Sequence, residues 1–412
     1  MPNILAMVLA GGEGTRLYPL TEHRSKPAVP FGGRYRIVDF VLSNLVNSRI
    51  FAIYLLVQYK SQSLIEHIRR SWAMSPLFPE QFIAVVPPQM RESPEWFQGT
   101  ADAVYQNLGL IEKHLPDLVV VFSADHIYRM DVRQMVAFHL ASGADVTVAA
   151  LPVPIATASA FGIIDAAADG TIRSFREKPI DPAPMPHDPA HAFASMGNYI
   201  FNADVLIKAL REGNRLGEKD FGKDMLPRLI KTKRVFAYNF CKNRIPNIRD
   251  YEEPNYWRDV GTIDAYFQAH QDTLGVEPKF DMFNPKWRIG SNNYQGPSPR
   301  FFHAEVDNSI ISSGTLIKGA RIHNSLVRSE VLLEEDVELD ECIVMDYSVI
   351  RKGVRLKRVI VDRYNTIEAG ECIGYDAQAD RRRFTVTDSG IVVLRRGEGT
   401  DSHADDVKFR YL

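Results

Sequence analysis

Several signatures that would fix a chemistry at once are missing. The chain has no Gly-x-x-x-x-Gly-Lys-Ser/Thr loop and no Gly-x-Gly-x-x-Gly run, so it carries neither a Walker-type phosphate loop nor the dinucleotide fingerprint. Its eleven histidines form no His-Glu-x-x-His, and no serine sits in Gly-x-Ser-x-Gly, so hydrolytic nucleophile chemistry has no visible support. Cysteine is scarce. Cys241, Cys342 and Cys372 are far apart and odd in number, which excludes a disulfide framework and a zinc spacing and suits a reducing compartment. Net charge is only −2, too little for a global basic field, so no nucleic-acid partner is expected. No apolar run approaches the roughly 18 residues of a membrane span. The opening apolar stretch stops at Gly11, without the charged start and long core of a signal peptide. A cytoplasmic protein with no membrane partner is expected.

What is present begins at that stretch. Ile4 to Leu9 has the length of a buried strand. Gly11, Gly12 and Gly14 follow within four positions, then Thr15 and Arg16. Glycines let the backbone turn sharply and bring its N–H groups close to an anion. Taken alone, such a run is often only a turn. Arg16 and then Lys26 add cations suited to phosphate oxygens, which favours a polyphosphate site.

At 412 residues the chain is too long for one compact core, and two domains are expected. Short apolar runs alternate with helical periodicity as far as about Leu274. Strands are expected at Ile4–Leu9, Ile53–Val57, Phe82–Val86, Leu118–Ser123, Val146–Leu151, Ile172–Glu177, Gly197–Phe201 and Val235–Asn239. Helices are expected at Ile37–Ser48, Ser61–Arg70, Thr100–His114, Asp131–Ser142, Ala203–Glu212 and Thr262–Leu274. Such alternation predicts an α/β domain with a mostly parallel sheet, whose ligands sit beyond the carboxyl ends of the strands. The periodicity lapses in a proline- and glycine-bearing connector. Aliphatic residues then recur at intervals of six, as in Ile310, Leu316, Ile322 and again in Val331, Val337, Ile343, Val349. That period predicts a parallel β-helix with Gly314, Gly319, Gly353 and Gly370 at its corners, although phase slips leave an antiparallel sandwich open. The expected division is 1–276, a linker at 277–302, and 303–412. The last residues, Lys408 among them, read as a loose tail.

Asp125 follows the Leu118–Ser123 run. It would hold a magnesium ion or cap the next helix. Asp259, in the loop before Thr262, is likewise either a helix cap or the other metal ligand. Gly99 opens a helix and would let a flat ring approach the backbone, and the Gln89 amide can pair with a base edge. Glu177, Lys178 and Ser195 lie at strand ends, where hydroxyls and a phosphate could be bound. If a sugar phosphate attacks the α-phosphorus of a nucleotide, the nucleophile is already an oxyanion, because its second pKa is about 6. The protein then needs to supply position, cations and a metal, and no general base.

The motifs LAGGEGTRLYPLTEHRSKPAVPFGGRYRIVDF at 9–40, WFQGTADAVYQN at 96–107, SADHIYRMD at 123–131, FREKP at 175–179, SMGNYIF at 195–201, DFGKDMLP at 220–227 and YWRDVGTIDAY at 256–266 run in order along nearly the whole chain. They resemble those of bacterial and plant glucose-1-phosphate adenylyltransferases. The resemblance implies a Rossmann-like (GT-A-like) nucleotidyltransferase domain followed by a left-handed parallel β-helix. It implies Mg²⁺-dependent formation of ADP-glucose and pyrophosphate from ATP and glucose 1-phosphate. By the same resemblance, Gly11, Gly12, Gly14, Thr15, Arg16 and Lys26 would hold the triphosphate. Gln89 and Gly99 would face adenine, and Asp125 and Asp259 would bind the metal. Gly162, Glu177, Lys178 and Ser195 would bind glucose 1-phosphate. A homotetramer regulated by metabolite effectors is implied as well. Two departures stand out: His23 replaces a lysine linked to activator binding in some relatives, and Asn198 replaces a small or aliphatic residue. A pyrophosphorylase using another nucleotide, and a non-catalytic regulatory or scaffold subunit, are the alternatives.

Overall fold

The computed structural model describes residues 2–398 apart from 76, 79, 90–94, 187, 292, 293 and 295; the tail at 399–412 lies outside the described residues. Strand β1 (Ile4–Ala10) lies between β2 (Ala52–Val57) and β4 (Leu118–Ser123), parallel to both, with Leu9 level with Leu56 and with Ser123. Parallel strands end on one edge, so the loops after Ala10, Val57 and Ser123 emerge together. The edge strand β3 (Phe82–Val86) extends this parallel half beside β2. The nine-stranded sheet is completed by β5 (Val146–Pro154), β6 (Gly162–Ala166), β7 (Ile172–Glu177), β8 (His191–Asn202) and β9 (Val235–Asn239). Long β8 is antiparallel to β4, β5 and β6, which makes the sheet mixed. One apolar core covers each face, as the near-continuous apolar sequence of β1 requires.

Four expectations are amended. The helix read over Thr100–His114 is two, Thr100–Tyr105 and Leu108–His114, because Asn107 leaves helical geometry and its amide donates to Ala103 O at 2.8 Å. Strand β8 starts at His191, six residues before Gly197, and crosses an irregularity between Ser195 and Tyr199 where Gly197 takes φ 69°. Strand β6 has no counterpart among the strands read from sequence. Finally, Trp257–Asp259 is a short strand, not loop, paired antiparallel with His126–Tyr128 so that Asp259 faces His126. Among the described residues of 277–302 no helix or strand precedes Arg300, but the segment is tied down: Ser291 Oγ donates to buried Asp39 at 2.6 Å, and Trp287 Nε1 donates to Asn44 Oδ1 at 3.2 Å.

From Arg300 the chain winds through three stacks of parallel strands, a parallel β-helix. Along one face Arg300 pairs with Leu316, Leu316 with Leu332, Leu332 with Val349 and Val349 with Thr366. Along this face each coil therefore takes 16 or 17 residues by the numbering of these partners, short of three six-residue units, and that shortfall is the origin of the phase slips. The coil that leads from Val359 to its partner Val392 is longer and holds the helix Ala377–Arg383. Each corner needs a left-handed residue. Gly319, Gly353 and Gly370 supply it in one column at φ 61°, 70° and 76°, with His303 and Asp336 filling the same column at 49° and 60°. Gly314 starts a second column that continues through Glu330, Tyr347 and Tyr364.

The β-helix is docked on the first domain. Leu326, Ile343 and Ile360 share a core with Leu17, Phe31 and Phe40. Arg24 clamps Asp362 through one nitrogen at 2.6 and 2.5 Å, both side chains buried. Arg328 pairs with Asp346 and donates to Gly32 O at 2.7 Å. Nearby His270, fully buried, accepts from Gly32 N at 3.1 Å and hydrogen-bonds Tyr266 O at 2.9 Å, which fixes the neutral tautomer. Burial, with Arg328 adding to it, pushes its pKa down to about 3. Because the folded pKa is depressed, the unfolded chain binds the proton more readily, so stability present above pH 6.5 is lost as pH falls from there toward 3. Denaturant midpoints measured between pH 7 and 5 are expected to fall more steeply for the wild type than for His270→Gln. Equal slopes would remove His270 from the pH dependence. Among the described residues no helix is long and apolar enough to cross a membrane, and the three cysteines are free.

Candidate active site

The loop after β1 turns at Gly14, whose φ of 65° is left-handed. A Cβ there would lie 3.0 Å from Lys26 Cβ and 3.1 Å from Thr21, and the Thr21 hydroxyl donates to Gly14 O at 2.9 Å. The glycine thus lets the loop close onto Lys26. Gly12 has open space on its Cβ side, and Gly11 abuts Gln58. Thr15 begins a single 3-10 turn, Thr15–Leu17, and is exposed. Gly11 and Gly12 border a cavity of about 380 Å³ at the carboxyl edge of the sheet, whereas Gly14, Thr15 and Arg16 do not line it. It is lined by Gly11, Gly12, Lys26, Gln58, Phe97, Gly99, Thr100, Ser123, Asp125 and Asp220 among others.

At one end of the cavity Lys26, only 7% exposed, places its ammonium 3.0 Å from Asp125 Oδ2 and 2.8 Å from Asp259 Oδ1. Neither carboxylate caps a helix. Asp131 caps the helix after Asp125, and Thr262 caps the one after Asp259. Asp125 also accepts from Ser123 Oγ at 2.5 Å, and His126 Nε2 stands 3.3 Å from it. Burial works to raise the Asp125 pKa, but the neighbouring His126 and Lys26 charges and the Ser123 hydrogen bond outweigh it and hold the carboxyl far below the usual range. Burial likewise opposes the Lys26 charge, yet the two aspartates keep its pKa above the ordinary lysine value. Arg16 is exposed and reaches the same cluster: a Cβ on Gly261 would lie 3.0 Å from both Arg16 Nη2 and Asp259 Oδ1. Asp125, His126 and Asp259 can bring ligand atoms within 4.8 Å of one another. Two carboxylates brought this close, one of them lining the cavity, fit magnesium, a hard cation that takes oxygen ligands.

The sequence that builds this site is matched by known proteins. The Nucleotidyl transferase family matches residues 5–275, and the family described as GlmU-like, C-terminal hexapeptide matches residues 298–394, the repeat expected of a left-handed parallel β-helix. A glucose-1-phosphate adenylyltransferase of Thermodesulfovibrio yellowstonii is 56% identical over 96% of this chain and 97% of its own length. Proteins of the same name from Anaeromyxobacter sp. strain Fw109-5 and Vibrio parahaemolyticus are 46% and 43% identical, each over 96% of this chain and 98% or 99% of their own. The chain belongs to the glucose-1-phosphate adenylyltransferase family.

In this family member the remaining sequence candidates fall on the antiparallel half of the sheet. Gly162 and Glu177 are register partners on β6 and β7, and a Cβ on Gly162 would strike Phe175 Cζ at 2.5 Å and Glu177 Oε2 at 2.8 Å. Burial, with Asp220 adding to it, raises the Glu177 pKa despite Lys178. Lys178 takes φ 47°, its N–H donates to Phe161 O at 3.0 Å, and its ammonium stands exposed 4.0 Å from Glu177. Ser195 lies at the β8 irregularity, and Gly197 N donates to its hydroxyl at 3.3 Å. None of these four lines the 380 Å³ cavity, which Ser123 and Asp220 do line.

Gln89 is not brought to the cavity. It is exposed and its amide donates to Pro87 O two residues back at 2.9 Å. Gly99 does line it, but the stronger constraint on Gly99 is protein backbone: a Cβ there would lie 2.3 Å from Lys219 O. Gly99→Ala is expected to destabilise the fold by about 1–3 kcal/mol and to raise the KM for the nucleotide. Thermal melts and steady-state kinetics check this, and an unchanged melting temperature would contradict it. Sequence reading missed Gln58, Thr100 and Asp220. Gln58 immediately follows a buried strand and its amide donates to Phe97 O at 3.2 Å, the same signal that singled out Asp125. Thr100 donates to Asp220 Oδ2 at 2.8 Å, a long-range contact without a local signature. Buried Asn198 links Ser123 N (3.4 Å) to the Tyr128 hydroxyl (3.0 Å), which accounts for a polar residue inside β8.

Proposed function

We propose that the protein transfers the adenylyl group of ATP to glucose 1-phosphate, giving ADP-glucose and pyrophosphate for glycogen or starch synthesis in the cytoplasm. The observation that carries this is the Lys26 ammonium bracketed by Asp125 and Asp259 beside a glycine loop. An oxygen of the glucose 1-phosphate dianion forms the new bond to the α-phosphorus, the bond from that phosphorus to the bridging oxygen breaks, and pyrophosphate leaves. No proton has to be removed from the nucleophile. Asp125 and Asp259 would hold Mg²⁺, which supplies charge neutralisation at the phosphate oxygens when bound. Loop amides at Gly11, Gly12 and Gly14, with Thr15 and Arg16, orient the triphosphate. Lys26 offsets charge developing at the α-phosphate. The cavity beside Gln58 and Gly99 takes the base. Gly162, Glu177, Lys178 and Ser195 hold the sugar phosphate across the sheet. Pyrophosphate release assayed with each of the four nucleotides is expected to favour ATP strongly; preference for UTP or GTP would overturn the assignment.

Metabolite effectors have a matching cavity of about 390 Å³ where the two domains meet, lined by Arg34, Arg36, Arg70, Arg328, Arg363 and Arg396 with His23. Burial, with Arg363 and Arg24 adding to it and Asp346 and Asp39 opposing it, pushes the Arg36 pKa down to about 9. The first domain, 1–276, carries the chemistry, and the linker 277–302 connects it to 303–412, which supports oligomerisation, as a homotetramer, and regulation. An activity screen with fructose 1,6-bisphosphate, fructose 6-phosphate, pyruvate, 3-phosphoglycerate, AMP and phosphate is expected to find a phosphorylated activator whose effect falls at least about tenfold in Arg363→Ala. An unchanged response would move the effector site elsewhere.

A further inference from the structure

The two carboxylate oxygens that face each other across the site are already engaged. Lys26 Nζ stands 3.0 Å from Asp125 Oδ2 and 2.8 Å from Asp259 Oδ1, good hydrogen bonds to both. The other Asp125 oxygen is held from behind by the Ser123 hydroxyl at 2.5 Å. A magnesium ion bound to a carboxylate sits about 2.1 Å from its oxygen. An ion bridging Asp125 and Asp259 would therefore take the volume now filled by the ammonium, and the two cations would repel at close range. One of them must leave. The Lys26 backbone is fixed, since it opens the 3-10 turn Lys26–Ala28 and its Cβ is packed where Gly14 closes the loop. Only the end of the side chain is free to move, and the space beside it is the cavity bordered by Gly11 and Gly12. In that direction the ammonium meets the phosphates of a bound nucleotide.

We propose that Lys26 is a placeholder for the metal: in the free protein its ammonium fills the cation position between Asp125 and Asp259 and keeps a divalent ion out until nucleotide phosphates draw it away. This rests on the reading that the two aspartates hold the ion. It couples the two ligands in a reciprocal way, so that nucleotide tightens the ion and the ion tightens nucleotide. It also gives Lys26 two opposite effects. Removing its charge weakens catalysis and strengthens ion binding to the free protein.

The test is Mn²⁺ binding to the full-length protein, followed by the loss of the free-ion EPR signal, with and without a non-hydrolysable ATP analogue. Wild-type protein alone is expected to bind Mn²⁺ weakly. Lys26→Gln alone is expected to bind it roughly ten- to a hundredfold more tightly, the scale of removing one charge near a partly screened site. Lys26→Arg, which keeps the charge, is expected to stay close to wild type. Lys26→Met, which keeps the stem, replaces Lys26→Gln if that variant does not fold. Free-protein affinity in the charge-removed variant equal to or weaker than wild type would overturn the placeholder role, and would leave the metal site standing if Asp125→Asn still abolished Mn²⁺ binding in the presence of the analogue. Failure to find Asp125-dependent Mn²⁺ binding in any state would overturn both.

Discussion

Asp125→Asn is expected to lower kcat for ADP-glucose formation by at least about a thousandfold, some 4 kcal/mol of transition-state stabilisation, while KM for either substrate changes far less. The carboxylate is held ionised by His126 and Lys26 against the effect of its own burial, so the site invests in a negative charge at that point. An amide keeps the shape and one hydrogen bond but gives up the charge that faces Lys26 and the ion. Initial-rate kinetics at saturating Mg²⁺, with a melting curve to show that the variant is folded, make the measurement. Turnover within tenfold of the wild type would remove Asp125 from the chemistry and with it the metal site.

The second large effect is on stability. Arg24→Ala is expected to cost about 3–5 kcal/mol, because it takes the salt bridge from buried Asp362 and leaves that carboxylate only the Arg363 N–H at 2.7 Å where the two domains meet. The pair itself need not be strongly stabilising. Arg24 Nη1 is buried with no hydrogen-bond partner among the described residues, and both ions were taken out of water to form the contact. The double variant Arg24→Met/Asp362→Leu is therefore expected to recover most of the loss. Chemical denaturation of the three proteins decides it. A single variant as stable as the wild type would mean that water reaches Asp362.

The parallel half of the catalytic sheet was plain in the sequence because β1, β2 and β4 are almost wholly buried and read as unbroken apolar runs. The β-helix announced itself through stacked aliphatics, since each coil must bury its own, and its slips are the mark of coils 16 or 17 residues long. Short strands escaped for the opposite reason. Trp257–Asp259 is three residues long and exists because His126–Tyr128 lies beside it, a pairing that local pattern does not carry. The same limit applied to the site. Gly11, Gly12, Gly14, Arg16 and Lys26 are close in sequence and could be read together, whereas the approach of Asp259 to Lys26 spans 233 positions and of Asp220 to Thr100 spans 120. Asp125 and Asp259 could each have been a helix cap on spacing alone; Asp131 and Thr262 fill those places. Gly99 was legible as a glycine of consequence, but its reason, the Lys219 carbonyl, comes from a distant segment.

All of this depends on two anions being held together by cations and backbone amides, with no side chain needed to take a proton from the nucleophile. A crystal structure with glucose 1-phosphate and a non-hydrolysable ATP analogue measures that most directly. The triphosphate is expected along Gly11 to Arg16, with Lys26 on the α-phosphate, Asp125 and Asp259 sharing one ion, and no carboxylate or imidazole within hydrogen-bond reach of the attacking oxygen. A triphosphate bound away from that loop, or a basic side chain on the attacking oxygen, would contradict it.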